Sequence, residues 1–486
     1  MQYKWIVLSN TTLGTLMASL DTNIVLVALP TISRELHGTS FFDLLWVLLG
    51  YQLVNGSLLV NLGRLSDMFG RVRLYNFGFA LFTAASALCS LAQSGEQLVG
   101  FRLLQGVGAA FLFSNSGAII TDAFPVEERG KALGINQVSI VVGSLLGLVL
   151  GGVLTTVAGW QSIFYVNIPI GIFATVWSHY QLKEKAVIRE GQKIDLVGNV
   201  TFAGGLAAIL LGITLDAVSA ISFDTFALLL GAGLSLMVVF VLTERRVKEP
   251  MLDLSLFRIR LFSAGTVASL LNSLARGAVT LVLTFYLQGP SMGLDPLGAG
   301  IFLVPVSISI AVLGPVSGYL SDRQGPRLFA TAGLVVAAAG FLLLTEIGRR
   351  VTFWQLAVPL LLVGAGMGLF QSPNRASIMN SVPSRARGIA SGTSTTVLVA
   401  GTSFSLGLAF YILTAGVPIA DLQTIFVGGK SVADAPWIPS FIASIHDVYY
   451  LSTAFVLAAI VPSVLRGQSR PTPEGVGQTT VRSRSE

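Results

Sequence analysis

The chain has 486 residues, of which 53% are hydrophobic and only 11% charged, with a mean hydropathy of +0.76 and a formal net charge of +6. Soluble domains carry roughly 25% charged residues, so this composition excludes a water-facing fold and points to lipid as the solvent. The basic residues fall in short loops between apolar runs and not on one face, which argues against a nucleic-acid partner.

A helix needs about 20 apolar residues to cross the hydrocarbon core. Fourteen runs meet that criterion, near 6–30, 44–62, 74–93, 97–120, 132–157, 163–182, 196–215, 225–243, 261–288, 297–317, 328–347, 355–373, 389–414 and 449–465. The first is too long for the apolar region of a signal peptide and no small-residue cleavage site closes it, so it is read as a spanning helix. It contains Leu20-Asp21-Thr22-Asn23-Ile24-Val25 and then Ala28-Leu29-Pro30. After the second run comes Gly63-Arg-Leu-Ser-Asp67-Met-Phe-Gly70-Arg71-Val-Arg73. Its glycines permit close helix ends and a tight turn. Asp67 can bond a neighbouring helix N-terminus or a basic partner, and Arg71 can pair with an acid across the interface between two halves, which makes a breakable conformational latch.

The fourth run carries Arg102-Leu-Leu-Gln105-Gly106-Val-Gly108-Ala109-Ala110. Its small residues allow close packing. An arginine inside a span is a functional hypothesis by default, unless it snorkels to the interface. The fifth run presents a face of Gly143, Gly147, Gly151 and Gly152, and Gly159-Trp-Gln-Ser-Ile-Phe-Tyr-Val-Asn167-Ile-Pro169-Ile-Gly171 leads into the sixth. Arg276 lies inside the ninth run. The segment Ala415 to Val448, with Pro418, Pro436, Trp437 and Pro439, is the one long loop opposite the termini. The tail from Arg466 is polar and expected to be disordered.

The chain repeats itself. Gly63 to Arg71 returns as Gly318-Tyr-Leu-Ser-Asp322-Arg-Gln-Gly325-Pro-Arg327, Gly106/Gly108 as Gly364/Gly366, and Pro125, Arg129-Gly130 and Gly134 as Pro383, Arg387-Gly388 and Gly392. Three sets in one order imply two related six-helix halves, residues 1–185 and 255–466. Between them lie two inserted helices and a linker at 186–254, and after them a cytoplasmic tail at 467–486. If the N-terminus is cytoplasmic, 24 of the 30 lysines and arginines fall in inner segments, so the positive-inside rule places both termini inside.

These motifs resemble the major facilitator superfamily, in its fourteen-helix drug:proton antiporter branch, over nearly the whole chain. The Gly63 stretch resembles the superfamily's G-x-L-x-D-R-x-G-R pattern, and the Arg102 stretch its R-x-x-Q-G-x-G-A-A signature. The Asp21 stretch resembles the branch's L-D-x-x-I-V-x-x-A-L-P. The Trp160 to Gly171 stretch resembles its W-R-W-I-F-x-x-N-x-P-I-G, with Gln161 and Ser162 departing. The glycine face of the fifth run resembles the antiporter motif ending G-P-x-x-G-G, but Leu148 stands where the proline belongs, which weakens antiport against symport. The resemblance implies an all-α membrane fold of 14 helices, alternating access between two rocking halves, and a cavity at mid-membrane.

The acids support a specific expectation. Of the 24 acidic residues, only Asp21 sits well inside a span. With a rise of about 1.5 Å per residue, Asp21 and Arg276 each lie roughly 24 Å above the inner ends of their helices, and Arg102 about 21 Å up the core. Asp21, Arg102 and Arg276 are therefore expected to cluster in the outer part of the cavity. Asp21 would be the proton-exchanging group there, or else one partner of a permanent ion pair. Tyr51, Gln52, Asn55, Asn136, Gln137, Asn272, Tyr286 and Gln371 are candidates to line the cavity, each also readable as an interhelical hydrogen-bonding residue.

The expected function is proton-coupled export of small amphipathic molecules at the cell membrane. A symporter or facilitator of an organic anion, or a lipid flippase, are the alternatives. The absence of a G-x-x-x-x-G-K-[ST] loop argues against ATP, so the proton gradient is the expected energy source, with no cofactor. Cys89 and the scattered His37, His179 and His446 show no metal-ligand spacing. No catalytic constellation is found, and a monomer is expected, with a small-molecule or lipid-like substrate and the bilayer as its partners.

Overall fold

Backbone N–H and C=O groups in hydrocarbon can bond only to one another, so each apolar run closes its bonds internally as a helix. The computed structural model describes residues 2–184, 195–247, 250–382, 387–418, 420–422 and 435–467; within these, the side chains of residues 126, 127, 130, 322 and 387–389 fall outside the description. The helices are α1 (Tyr3–Glu35), α2 (Phe41–Phe69), α3 (Arg71–Ser90), α4 (Gly95–Ala123), α5 (Val126–Ala158), α6 (Ser162–Tyr165), α7 (Asn167–Gln181), α8 (Leu196–Ala217) and α9 (Phe223–Glu244). They continue with α10 (Arg260–Arg276), α11 (Val279–Gln288), α12 (Pro296–Gln324), α13 (Pro326–Leu344), α14 (Phe353–Asn380), α15 (Arg387–Gly416) and α16 (Ile438–Leu465). Thirteen spans among the described residues are long and apolar enough to cross a membrane, α10 and α11 together making one of them. Side-chain oxygens of Ser40, Ser94, Ser222 and Asp295 accept from backbone N–H groups in the first turns of α2, α4, α9 and α12, where those groups have no helical partner.

Two expected spans are broken. The run at 163–182 folds as α6 and α7, parted at Val166. Pro169 lacks an N–H and crowds the carbonyl four residues back, which disfavours one continuous helix. The run at 261–288 folds as α10 and α11, parted at Gly277 and Ala278. There the chain presses against α15: a Cβ on Gly277 would lie 2.7 Å from the Thr402 carbonyl oxygen, and Ala278 N–H donates to Ser405 Oγ (3.0 Å). A third difference concerns the loop expected at 415–448. The helix α16 begins at Ile438, and Ile438, Phe441, Ile445 and Val448 bury one face of it. Ser440, Ser444, His446 and Asp447 dilute the hydropathy of that stretch, so only packing reveals the helix. Residues 419 and 423–434 of the loop, the linker at 185–194 and the tail from 468 lie outside the described residues.

In the hairpin α8–α9, the helices pack on each other and α8 leans on α2 and α15. Two polar pins hold it to α2: Trp46 Nε1 donates to Thr214 Oγ1 (3.1 Å), and Asn199 Nδ2 to the Ser57 carbonyl (2.5 Å). The helix α9 exposes Phe223, Leu228, Leu234, Val238 and Leu242, an apolar face suited to lipid.

The bundle has a termini end, where α1 starts and α16 stops, and a far end. At the far end α1–α7 meet α10–α16. Gln288 Nε2 donates to the Val27 carbonyl (2.8 Å), and the Phe41 ring lies 5.7 Å from Phe285 and 4.9 Å from Phe410. A Cβ on Gly152 would lie 2.7 Å from the Pro296 oxygen, and one on Gly300 2.6 Å from the Leu148 oxygen. Toward the termini end, α5 exposes Ile135, Val138 and Val142, and α12 exposes Ile308, Val312 and Val316.

Candidate functional site

The site is built around one buried acid. Asp21 sits in the middle of α1 and is fully buried. Its place is set by α5, whose glycines bring the two backbones together. Cβ atoms on Gly143, Gly147 and Gly151 would lie 2.6, 2.5 and 2.9 Å from the carbonyl oxygens of Leu16, Leu20 and Ile24. These contacts recur every four residues along both helices, so the glycine face seats α1 along a stripe on either side of Asp21. With Leu148 in the place of a proline, α5 runs unbroken from Val126 to Ala158.

Three side chains converge on the Asp21 carboxylate. Arg102 Nη1 donates to Oδ2 (2.5 Å), and Gln105 Nε2 and Asn167 Nδ2 each donate to Oδ1 (3.0 Å). Arg102 and Gln105 are three residues apart on α4 and so share a face; Arg102 Nη1 also donates to Gln105 Oε1 (2.6 Å). Gln105 Nε2 is held further by Ser86 Oγ (2.7 Å) and Arg102 Nε by the Val47 carbonyl (3.1 Å). The guanidinium lies over the Tyr51 ring at 4.2 Å. Both ends of the Asp21–Arg102 pair are sealed from solvent. A buried pair of this kind persists only when hydrogen bonds occupy its other donors and acceptors. Most are occupied, but Arg102 Nη2 and Asn167 Oδ1 have no partner among the described residues. Arg102 is buried in this packing and does not snorkel.

The structure brings Asp21, Arg102 and Tyr51 together and leaves Arg276 out. Arg276 ends α10 at the Gly277 break, and its Nε is buried with no hydrogen-bond partner among the described residues. The height of a residue along its helix follows from the sequence, but its azimuth does not. The neighbours of α1 are α2, α4, α5, α6, α7, α11 and α12, and of these α4 and α7 supply the partners of Asp21. Gln105 and Asn167 are the residues the sequence reading missed as partners. The spacing from Arg102 signals Gln105. Asn167 gave only its place beside Pro169, where α7 begins.

The remaining cavity candidates fall into separate surroundings. Asn136 Nδ2 donates to Thr15 Oγ1 (3.1 Å) and Ser116 Oγ (3.0 Å), tying α5 to α1 and α4. Tyr286 is buried and donates to the Gly348 carbonyl (2.8 Å) at the far end, which anchors the loop there. Asn55, on α2, keeps a buried Oδ1 with no partner among the described residues. Asn272 is buried, Gln52 and Gln371 are half-buried, and Gln137 is exposed.

The latch takes a different partner from the one expected. Gly70 has φ +103° and Gly325 φ +89°, each at the sharp turn joining two helices, so the repeat seen in the sequence is also a repeat in backbone geometry. Arg71 pairs with Asp67 (2.7 Å) and Asp122 (2.8 Å), both within α1–α7 and not across the interface. Of its two expected roles Asp67 takes that of bonding a basic partner, Arg71; the α3 N-terminus is met by Glu184, which accepts from Val72 N–H (2.9 Å). Gly63 lies on α2 with room beside Ser114. The Asp322 side chain lies outside the described residues, and Arg327 follows Gly325 at the start of α13.

Spanning helices whose sequence halves repeat, with a buried ion pair inside the first half, have the build of a secondary transporter. The chain belongs to the Major Facilitator Superfamily, whose sequence profile matches residues 11–406 and again 266–480. It is 31% identical to the riboflavin transporter RibZ of Clostridioides difficile, over 85% of this chain and 88% of that one. It is 27% identical to Multidrug resistance protein 3 of Bacillus subtilis, over 94% of each. Among solved structures, a bacterial homologue of the human lysosomal transporter Spinster, inward-facing and unoccupied, superposes with a TM-score of 0.66 at 15% identity, covering 97% of this chain and 99% of that one. The chain is therefore a multi-pass transporter of this superfamily.

Proposed function

We propose that this transporter exports small amphipathic compounds from the cell in exchange for protons, with both termini cytoplasmic and the far end facing outward. The observation that carries the reading is the Asp21–Arg102 pair. Asp21 is a lone carboxylate deep in the membrane-spanning region, held by one cation and two amides. Protonating it removes the countercharge of Arg102, so a proton on Asp21 and the closed packing around Arg102 oppose each other. Because the pair is sealed while the far end is closed, Asp21 can exchange protons only when the helices around it part. That linkage is what a coupled exchanger requires. The likeness to a multidrug resistance protein supports the drug-export side of the reading.

The test is proton release from purified protein on adding candidate compounds, comparing wild type with Asp21→Asn and measuring binding in parallel. Release from wild type and none from the variant supports the reading. Binding without release in both removes proton exchange at Asp21.

A second reading, a symporter or facilitator of an organic anion, draws on Leu148 in the antiporter motif and on the likeness to a riboflavin transporter. Flux into vesicles under an imposed pH gradient separates the two, because export by exchange and uptake by symport run in opposite directions for the same gradient.

A further inference from the structure

The hairpin α8–α9 has acid chemistry of its own, far from Asp21. Asp195 caps α8 and Glu244 ends α9, both at the termini end, and they are 5% and 4% exposed. Each carboxyl has one oxygen bound by a backbone donor: Asp195 Oδ1 accepts from Gly198 N–H (2.7 Å) and Glu244 Oε2 from Leu252 N–H (3.0 Å). The other oxygen of each, Asp195 Oδ2 and Glu244 Oε1, is buried with no partner among the described residues. Both orphaned oxygens converge on one spot, the side of Gly198 where a side chain would stand; a Cβ there would lie 2.6 Å from Glu244 Oε1 and would collide with Asp195 Oδ2. Two acceptor oxygens facing each other in a closed space need a donor between them.

The charges around the pair do not supply that donor. From α2, Arg64 reaches the same region, but its Nη2 donates to the Pro250 carbonyl. Asp253, in the segment after Pro250, accepts from Ser255 N–H (2.9 Å). Arg245 and Arg246, which follow Glu244, are exposed. Residues 248 and 249 lie outside the described residues. Two ionised carboxylates this close repel, and burial adds to the cost.

We propose that Asp195 and Glu244 form a proton-binding site in the α8–α9 hairpin, with one proton shared between Asp195 Oδ2 and Glu244 Oε1. The proton turns a repulsive contact into an O–H···O hydrogen bond and closes the hairpin's termini end. Glu244 holds Leu252, and Arg64 holds Pro250 two residues earlier, so the shared proton also sets how the hairpin docks on α2 just before the Asp67–Gly70–Arg71 turn. Loss of the proton puts two negative charges in one buried space and loosens that docking. The site is independent of the antiport reading, which rests on Asp21.

Two measurements on the full-length protein test this. The first is the infrared band of protonated carboxyls, followed with pH in wild type, Glu244→Gln and Asp195→Asn. The second is the thermal midpoint of each from mildly acidic to alkaline pH. The folded pair binds a proton that the unfolded chain releases, so the wild-type midpoint falls as pH rises. The expected result is a protonated-carboxyl band in wild type at neutral pH that is lost in either variant. The midpoint of Glu244→Gln, whose amide N–H replaces the shared proton, should lose most of its pH slope. If only one variant accumulates as folded protein, that one carries both readouts. A band that survives in the variant, or a pH slope equal to that of wild type, overturns the proposal.

Discussion

Asp21 accepts three hydrogen bonds, but only Arg102 brings a positive charge. Truncating Arg102 to Ala would leave a buried carboxylate with amide donors alone. Breaking one side of a buried ion pair costs about 3–5 kcal/mol, so Arg102→Ala should lower the thermal midpoint in detergent well below wild type and abolish transport. The double variant Asp21→Asn/Arg102→Ala should recover part of that stability without recovering transport, the non-additivity expected of residues in contact. Equal and additive losses would mean the two side chains do not act as a pair. Cys89 is fully buried, with its Sγ 3.7 Å from Gln105 Oε1. Native protein should therefore show no reaction with thiol reagents and release one reactive thiol on denaturation. At this scale Asp21 and Arg102 were legible because charge inside a span is costly and so stands out. Asn167 was not legible, because what aims it at Asp21 is the break at Val166 and the packing of α7 on α1 and α3.

Along the elements, the glycines of α5 divide by what faces them. Gly147 meets the Leu20 carbonyl, whereas Gly134 has nothing within 4 Å. Gly147→Leu should push α1 away from α5 and abolish folded, monodisperse protein. Gly134→Ala should be tolerated or stabilise by about 0.5–1 kcal/mol through reduced backbone freedom. Size-exclusion profiles and thermal midpoints of the two variants check this. Gly70 requires glycine for a different reason, a φ of +103°. An alanine there should cost about 1–3 kcal/mol, read as a lower thermal midpoint. Helix existence was plain from hydropathy, because lipid leaves the backbone no other choice. Helix breaks at Val166 and Gly277 were not, because each depends on a neighbouring element as well as on the local residue.

Across the whole molecule, the seam between α1–α7 and α10–α16 is closed at the far end by the Gln288–Val27 bond and the rings of Phe41, Phe285 and Phe410. Gln288→Ala removes one buried hydrogen bond, a change of about 1 kcal/mol. That is enough for a several-fold shift between conformers of similar stability. Spin-label distances across the far-end seam should lengthen in a larger fraction of molecules than in wild type. An unchanged distance distribution would show that the ring packing and the close approach of α5 and α12 hold the seam without the Gln288 bond. The Arg71 latch, by contrast, closes within α1–α7, on Asp67 and Asp122. With the far end shut, it bridges α2, α3 and α4 and holds nothing across the seam.

The sequence by itself determined the solvent, the helical class, the repeat and two charges inside the spans that form the buried ion pair. Each follows from a local rule: apolar length, backbone satisfaction, recurring spacing and the cost of intramembrane charge. Only the tertiary structure decided which charges meet. Height along a helix is set by counting residues, but azimuth and neighbour are set by packing. That is why Arg102 reaches Asp21 while Arg276, at a similar height, does not. The same reason hid Asp195 and Glu244, two unremarkable helix-end acids in sequence, until the antiparallel pairing of α8 and α9 set their unpartnered oxygens face to face.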